Sequence, residues 1–134
     1  MKDELIKKAI DLSRRTGYFF LTTADTHGVA HLSIATKIRV SSPATVSVAG
    51  WLCPGTVANL ETNPNIGVIV WDRKSDTGYQ LIGKIKGLRE VAVLDGYAGK
   101  KEERAPVPQV EREVAIHVEK VLDFKQSPHS DTEA

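Results

Sequence analysis

Charge is almost missing from the middle of this chain. Of the 45 residues from Thr26 to Val70, only Lys37, Arg39 and Glu61 are charged, whereas 14 of the 35 residues from Lys100 to Ala134 are charged. Charged side chains are rarely buried, so a long uncharged stretch belongs to a core, an interface or a ligand site. We therefore expect the middle of the chain to hold both the core and the functional site, and the end to be mostly solvated.

Length and composition narrow the class of protein. A chain of 134 residues is one domain, and it can bury about two thirds of its unfolded surface without a disulfide or a metal. Cys53 is the only cysteine, which excludes an intramolecular disulfide and leaves no cysteine–histidine zinc pattern. The net charge of +1 gives little attraction for nucleic acid or an anionic membrane.

The sequence also predicts where the protein is located and how many domains it has. No apolar run approaches the roughly 18 residues of a membrane span, and the charged N-terminus lacks the apolar segment of a signal peptide. We expect a cytoplasmic protein with one domain over residues 1–125 and a disordered tail over residues 126–134. We expect no metal, nucleic-acid or membrane partner.

Hydrophobic periodicity predicts a mainly β fold with short helices. Apolar residues three and four positions apart predict a helix over residues 3–15, and weaker patterns predict short helices over 56–62 and 94–104. Few helices and an initial hairpin favour a small barrel over a sheet with crossover helices. Gly83 and Gly87 interrupt the longest strand and suit bulges. The six predicted strands are Tyr18–Ala24, Val29–Lys37, Thr45–Ala49, Ile66–Trp71, Tyr79–Val93 and Val114–Phe124.

The strongest functional pattern is a strand that runs through a loop into a short helix. The N-terminus of a helix presents unpaired N–H groups and a partial positive charge, which favour phosphate. Gly50 and Gly55 allow the backbone to approach a ligand closely, and Thr56 adds a hydroxyl donor at the start of the helix. Lys37 and Arg39 are the only cations in the apolar middle and can help to neutralise a phosphate.

The order of these features resembles the pyridoxamine 5′-phosphate oxidase-like, FMN-binding split-barrel family. The resemblance rests on Gly50…Thr56…Asn59-Leu60…Asn63-Pro64 followed by Gly78-Tyr79-Gln80-Leu81-Ile82-Gly83, and it covers residues 16–93. It implies a six-stranded antiparallel split β-barrel that forms a homodimer, with FMN at the dimer interface. It also implies which residues contact the cofactor: Ser33, Ile34, Ala35, Thr36 and Lys37 on the second strand, and Ala49, Gly50, Trp51, Leu52 and Thr56 after the third, with Asn59 behind them.

One departure from the family pattern bears on activity. The oxidase members carry Arg and Lys in the loop before the helix, whereas this chain has Leu52-Cys53-Pro54-Gly55. True pyridoxamine-phosphate oxidase activity is therefore not expected. The sequence shows no Ser/His/Asp set, no paired carboxylates and no metal-ligand spacing, so catalytic residues are unassigned and any redox chemistry would belong to the flavin.

Three functions remain open at this point. The first is an FMN-binding oxidoreductase or electron carrier of unknown substrate. The second is a split-barrel binding module without turnover, which stores or senses flavin or binds haem or the deazaflavin F420. The third is a dimeric structural protein without a cofactor.

Overall fold

The computed structural model describes residues 2–94, 109–127 and 132–134. In these ranges the chain is mainly β, as predicted, with two helices and seven strands. The helices are α1 (Lys2–Thr16) and α2 (Pro54–Thr62). The strands are β1 (Phe19–Ala24), β2 (Ala30–Ala35), β3 (Lys37–Ser42), β4 (Thr45–Gly50), β5 (Asn65–Asp72), β6 (Thr77–Leu94) and β7 (Gln109–Asp123).

Helix α1 forms where the apolar stripe predicted it. Its first turn is acidic and its last turn carries Arg14 and Arg15, which is the arrangement that the helix dipole favours. Gly17, with a φ of 91°, ends the helix and donates its N–H to the carbonyl of Ser13 at 2.8 Å. The stripe lies in the core through Ile6, Ala9, Ile10 and Leu12.

All seven strands belong to one antiparallel sheet in the order β2-β1-β5-β6-β7-β4-β3. Strands β2 and β3 lie at opposite edges of this sheet, yet only Thr36 separates them in the chain. The sheet must therefore curl until its two edges meet at Thr36. Among the described residues β2 pairs only with β1 and β3 only with β4, so the barrel is split along this seam.

The strand count corrects the prediction of six strands. The predicted strand Val29–Lys37 ends at Ala35, and the chain turns at Thr36 into β3, which the sequence had assigned partly to a turn. Ser42 of the predicted turn is held in β3 by pairing with Thr45 of β4, and Ser41 lies at the register shift between Val40 and Ser42. Pairing with a neighbouring strand thus overrides the local preference of serine for turns.

Other local predictions are confirmed. The β1–β2 hairpin turns at residues 25–28, where the carboxylate of Asp25 accepts the N–H groups of His27 and Val29 at 2.8 and 2.9 Å. The β6–β7 pairing shifts register next to Gly83 and Gly87, the two predicted bulges. The helix predicted over Leu94–Arg104 falls outside the described residues except for Leu94, which ends β6.

The orientation of β2 is the reverse of what its residues indicate, because its more apolar face is the exposed one. Ser33 and Ala35 are buried, whereas Leu32 and Ile34 on the other face are 59% and 58% exposed. The register places Ile34 opposite Phe20 of β1, and Phe20 opposite Ile69 of β5, so these side chains share one face of the sheet. We call this set, Leu32, Ile34, Phe20 and Ile69, the outer sheet face.

The end of the chain lies against β7 where it is described. The N–H of Asp123 donates to the carbonyl of Thr132, and the N–H of Ala134 donates to the carbonyl of Val121, both at 2.9 Å. The domain boundary at residue 125 and the disordered tail stay predictions. In the part of the chain that the structure describes, no helix has the length and apolar character needed to cross a membrane.

Candidate functional site

The candidate site begins at the N-terminus of α2. Cys53 is the residue before the helix, Pro54 occupies its first turn, and no side chain of the described residues caps it. Proline suits this position because its missing N–H would have no helical partner there. The N–H groups of the first turn therefore have no side-chain cap among the described residues.

Four residues from β2 and α2 meet at this helix end, and we call them the α2 cluster: His31, Ser33, Gly55 and Thr56. Thr56 is fully buried, and its hydroxyl donates to Ser33 Oγ at 2.9 Å. His31 Nδ1 lies 3.5 Å from the same hydroxyl. A Cβ at Gly55 would lie 2.9 Å from His31 Nε2, so the imidazole packs directly on the glycine.

The helix is fixed to β1 one turn further along. Asn59 donates from Nδ2 to Thr23 Oγ1 at 3.0 Å, and Asn63 donates to the carbonyl of Asp25 at 3.5 Å. Asn59 thus holds α2 against the sheet. Leu52 is buried, and it anchors the loop that leads into the helix.

Lys37 and Arg39 lie in a different environment from the α2 cluster. Lys37 Nζ is 3.5 Å from a carboxylate oxygen of Glu111, and Arg39 is 3.0 Å from Glu113, both on β7. Arg89 of β6 also binds Glu113, at 2.6 Å. Hydrogen bonds from Arg89, and next from Arg39, hold the pKa of the Glu113 carboxyl below its ordinary value.

Of these charged residues, Lys37, Arg39 and Glu113 line a groove of about 390 Å³, which we call the β3–β4 groove. Three predicted cofactor residues line it, namely Thr36, Lys37 and Ala49. The predicted set therefore divides between the α2 cluster, which includes Ser33 and Thr56, and this groove. The other lining residues are Arg14, Ile38, Arg39, Ser47 and Glu113.

The remaining predicted residues differ in access. Ile34 lies on the outer sheet face, and Trp51 is 50% exposed beside Gly50, whose φ of 143° favours glycine. Ala35 is buried, so only its backbone is open to a role in binding. The cofactor roles of all these residues stay predictions.

Sequence reasoning missed the partners that hold the site together. Thr23, Glu111 and Glu113 contact predicted residues from 36 to 74 positions away in the chain. Local spacing carries no information about such pairs. The one available signal was the alternation of Glu111 and Glu113, which places two carboxylates on the same face of a strand.

Comparison with known proteins found no matching family model and no matching curated protein. Solved structures do match. HupZ of Group A Streptococcus has a TM-score of 0.64 at 18% identity, over 94% of this chain and 97% of that one. A pyridoxamine 5′-phosphate oxidase-related, FMN-binding protein of Nostoc punctiforme has a TM-score of 0.63 at 11% identity, over 92% and 84%. The chain has the fold of the pyridoxamine 5′-phosphate oxidase-like proteins.

A third match supports the same assignment of fold. An FMN-binding protein of Syntrophomonas wolfei has a TM-score of 0.61 at 18% identity, over 93% of this chain and 89% of that one. The split-barrel resemblance drawn from the sequence is thereby confirmed for the fold. One fold serves many activities, so the fold alone does not determine the function of this chain.

Proposed function

We propose that this protein binds FMN and acts as an oxidoreductase or electron carrier. The observation that carries the proposal is the uncapped N-terminus of α2, packed against β2 through the buried Thr56. Two solved structures with this fold are named FMN-binding proteins, which supports the proposal. The FMN phosphate would lie at the α2 cluster.

The chemistry of the cluster fits a phosphate group. Gly55 and His31 are each half-buried, so neither residue is sealed from solvent, and a phosphate would meet the N–H of Gly55 and the ring of His31. Both can donate hydrogen bonds to phosphate oxygens, and the helix dipole adds partial positive charge. Thr56 is fully buried behind them, and its burial favours a supporting role in which the hydroxyl holds Ser33 and His31.

The charge of the phosphate needs cations from outside the helix, because loop residues 52–55 carry none. Lys37 has a 67% exposed side chain, so its ion pair with Glu111 is weak and Lys37 stays available to a ligand. Arg39 and Arg89 share one carboxylate, that of Glu113, which leaves a positive excess at the β3–β4 groove. We infer that this excess assists the α2 cluster.

A second copy of the chain completes the proposed site. The outer sheet face is apolar, and its Leu32 and Ile34 are more than half exposed on an edge strand. Exposed apolar patches of this kind mark interaction surfaces. We infer a homodimer through this face, with the flavin ring at the interface and Trp51 beside it.

Bound FMN supplies hydride or single-electron transfer, and the chain supplies binding, orientation and exclusion of water. Among residues 2–94, 109–127 and 132–134, no three histidine, cysteine or carboxylate side chains gather as a metal site. Because loop residues 52–55 carry no cation, we do not propose pyridoxamine-phosphate oxidase activity. The substrate and the electron donor are not assigned.

A binding module without turnover is the second candidate function. It is favoured by the pairing of Lys37 and Arg39 with Glu111 and Glu113, which weakens their hold on a phosphate. Such a module would store or sense flavin, or bind haem or F420. Flavin that stays bound but is not reduced by any donor would favour this candidate over the oxidoreductase.

The visible spectrum of the purified protein, measured after addition of FMN and desalting, tests flavin binding. We expect retained flavin absorbance, and we expect Thr56→Val to weaken FMN binding about tenfold, because the hydroxyl that orders His31 and Ser33 is lost. Thr62→Val is the matched control, since Thr62 lies exposed at the other end of α2. A colourless wild-type protein would refute the proposal, as would equal losses in the two variants.

A further inference from the structure

A second groove lies at the junction between α1 and the β5–β6 hairpin. Its volume is about 590 Å³, which is within the range of small-molecule sites, about 300–1,000 Å³. It shares no lining residue with the α2 cluster or the β3–β4 groove. Its lining residues are Arg15, Thr16, Tyr18, Trp71, Asp72, Arg73 and Lys74. We call it the hairpin groove.

The hairpin groove carries unbalanced positive charge. Arg15, Arg73 and Lys74 take part in none of the ion pairs among the described residues, whereas the adjacent Arg14 is paired with Asp11. The single carboxylate of the lining, Asp72, accepts hydrogen bonds within the hairpin itself. Its oxygens bind the N–H of Lys74 at 3.2 Å and the hydroxyl of Ser75 at 2.9 Å.

Two aromatic rings stand beside these cations. Tyr18 is 42% exposed, and it packs edge-on against Phe20 with 5.5 Å between ring centroids. The indole N–H of Trp71 donates to Asp76 Oδ1 at 2.9 Å. The Asp76 carboxylate is itself held by the N–H groups of Gln126 and Ser127 at 2.8 and 2.9 Å. Trp71 is thus oriented before any ligand binds, which lowers the entropy cost of stacking.

We propose that the hairpin groove binds a small planar aromatic molecule that carries a phosphate or carboxylate group. The anionic group would be held by Arg15, Arg73 and Lys74, and the ring would lie against Tyr18 or Trp71. The groove shares no lining residue with the α2 cluster, and it borders the outer sheet face through the contact of Tyr18 with Phe20. The size of the groove and a net charge of +1 favour a small ligand over a nucleic acid.

The test uses the full chain, with adenosine 5′-monophosphate (AMP) as probe, and follows the indole N–H resonance of Trp71 by NMR. Trp51→Phe assigns the resonance, because the chain has two tryptophans. We expect AMP to shift the Trp71 signal saturably, and adenosine or inorganic phosphate alone to bind at least about tenfold more weakly, since each lacks one of the two interactions. The Trp71 resonance reports on the hairpin groove, so the experiment distinguishes ligand binding there from FMN binding at the α2 cluster.

Variants that remove positive charge test the role of the cations in the hairpin groove. The double variant Arg73→Gln/Lys74→Gln is expected to weaken AMP binding about tenfold or more, because two cations of the groove are lost. Lys7→Gln/Lys8→Gln is the matched control, since it removes the same charge from the exposed side of α1. An unmoved Trp71 signal would overturn the proposal, and so would equal losses in the two double variants. Tighter binding of a decathymidylate than of AMP would assign the groove to single-stranded nucleic acid instead.

Discussion

Gly83 lies where the backbone of β7 comes close to β6. A Cβ at this position would overlap the backbone carbonyl of His117 and would lie 3.1 Å from the Cα of Val118. Gly87, four residues further along the same strand, has no atom within 4 Å of the equivalent position. The sequence predicted a bulge at both glycines, but only the structure shows that one of them is required for close packing.

This difference predicts unequal effects of alanine. Gly83→Ala is expected to lower the free energy of unfolding by about 2 kcal/mol or more, because the backbone of β7 must move to accept the methyl group. Gly87→Ala is expected to change it by less than about 1 kcal/mol. Urea unfolding followed by circular dichroism measures both. Similar midpoints for the two variants would show that the close approach at Gly83 is wrong.

At the site, residue types were predictable and their partners were not. The helix α2 was predicted from residue 56, but it begins at Pro54, because proline is accepted in the first turn of a helix. The contact of Thr56 with Ser33 joins residues 23 positions apart and depends on how β2 faces α2. The polarity of β2 indicates the opposite orientation, since its more apolar face is the exposed one.

Among the elements, the β5–β6 hairpin is tied to the rest of the chain by Asp76. The backbone of Asp76 has a φ of 51°, and its carboxylate accepts bonds from Gln126, Trp71 and Ser127. The bond from the Gln126 N–H, then those from Trp71 and Ser127, hold the pKa of Asp76 below the ordinary aspartate value of 3.8. The ionised carboxylate therefore stabilises the folded state.

This lowered pKa predicts a pH-dependent effect of Asp76→Asn. The stabilisation is complete above the unfolded pKa of about 3.9 and is lost as the pH falls through the lower folded pKa. The wild type is thus expected to be more stable than Asp76→Asn at pH 7, and this difference is expected to shrink in acid. Unfolding by urea from pH 7 to pH 3 measures it, with Asp11→Asn on the surface of α1 as control. A difference that stays constant with pH would contradict the role of the charge.

Most helices and strands could be predicted, because hydrophobic periodicity and turn residues are local features of the sequence. Helix α1, the first hairpin and the apolar β5 follow from periodicity and turn chemistry. Strand β3 was missed because Ser41, Ser42 and Pro43 indicate a turn, whereas the pairing of Ser42 with Thr45 of β4 extends the strand to Ser42. Whether such residues form a strand depends on the neighbouring strand with which they pair. The local sequence does not specify that strand.

On the scale of the whole molecule, the outer sheet face leaves Leu32 and Ile34 more than half exposed, and we infer that a second chain covers it. Leu32→Asp/Ile34→Asp is expected to convert the proposed dimer into a monomer at micromolar concentration, because it places two charges in an apolar interface. Val91→Asp is the control, since Val91 is also exposed, on β6. Sedimentation equilibrium measures the mass of each protein. A wild-type monomer would contradict the shared site, and so would a dimer that survives the double variant.

Sheet topology was the least predictable property. The sequence favoured an antiparallel barrel, but the order of strands depends on contacts such as Val48 with Val114, which are 66 positions apart. No turn motif links β4 to β7 or β1 to β5. The resemblance to a split-barrel family therefore carried information about topology that residue patterns alone do not contain.

The seam at Thr36 has a consequence for how the chain folds. Because β4 pairs with β3 on one side and with β7 on the other, the β3–β4 hairpin cannot join the remaining strands until β7 arrives. The conformational search for that step spans more than half of the chain, and long searches slow folding. Until it is complete, β4 and β6 keep open edges that another chain could pair with. Strand β7 thus closes the sheet, and folding intermediates that lack it are the ones we expect to aggregate.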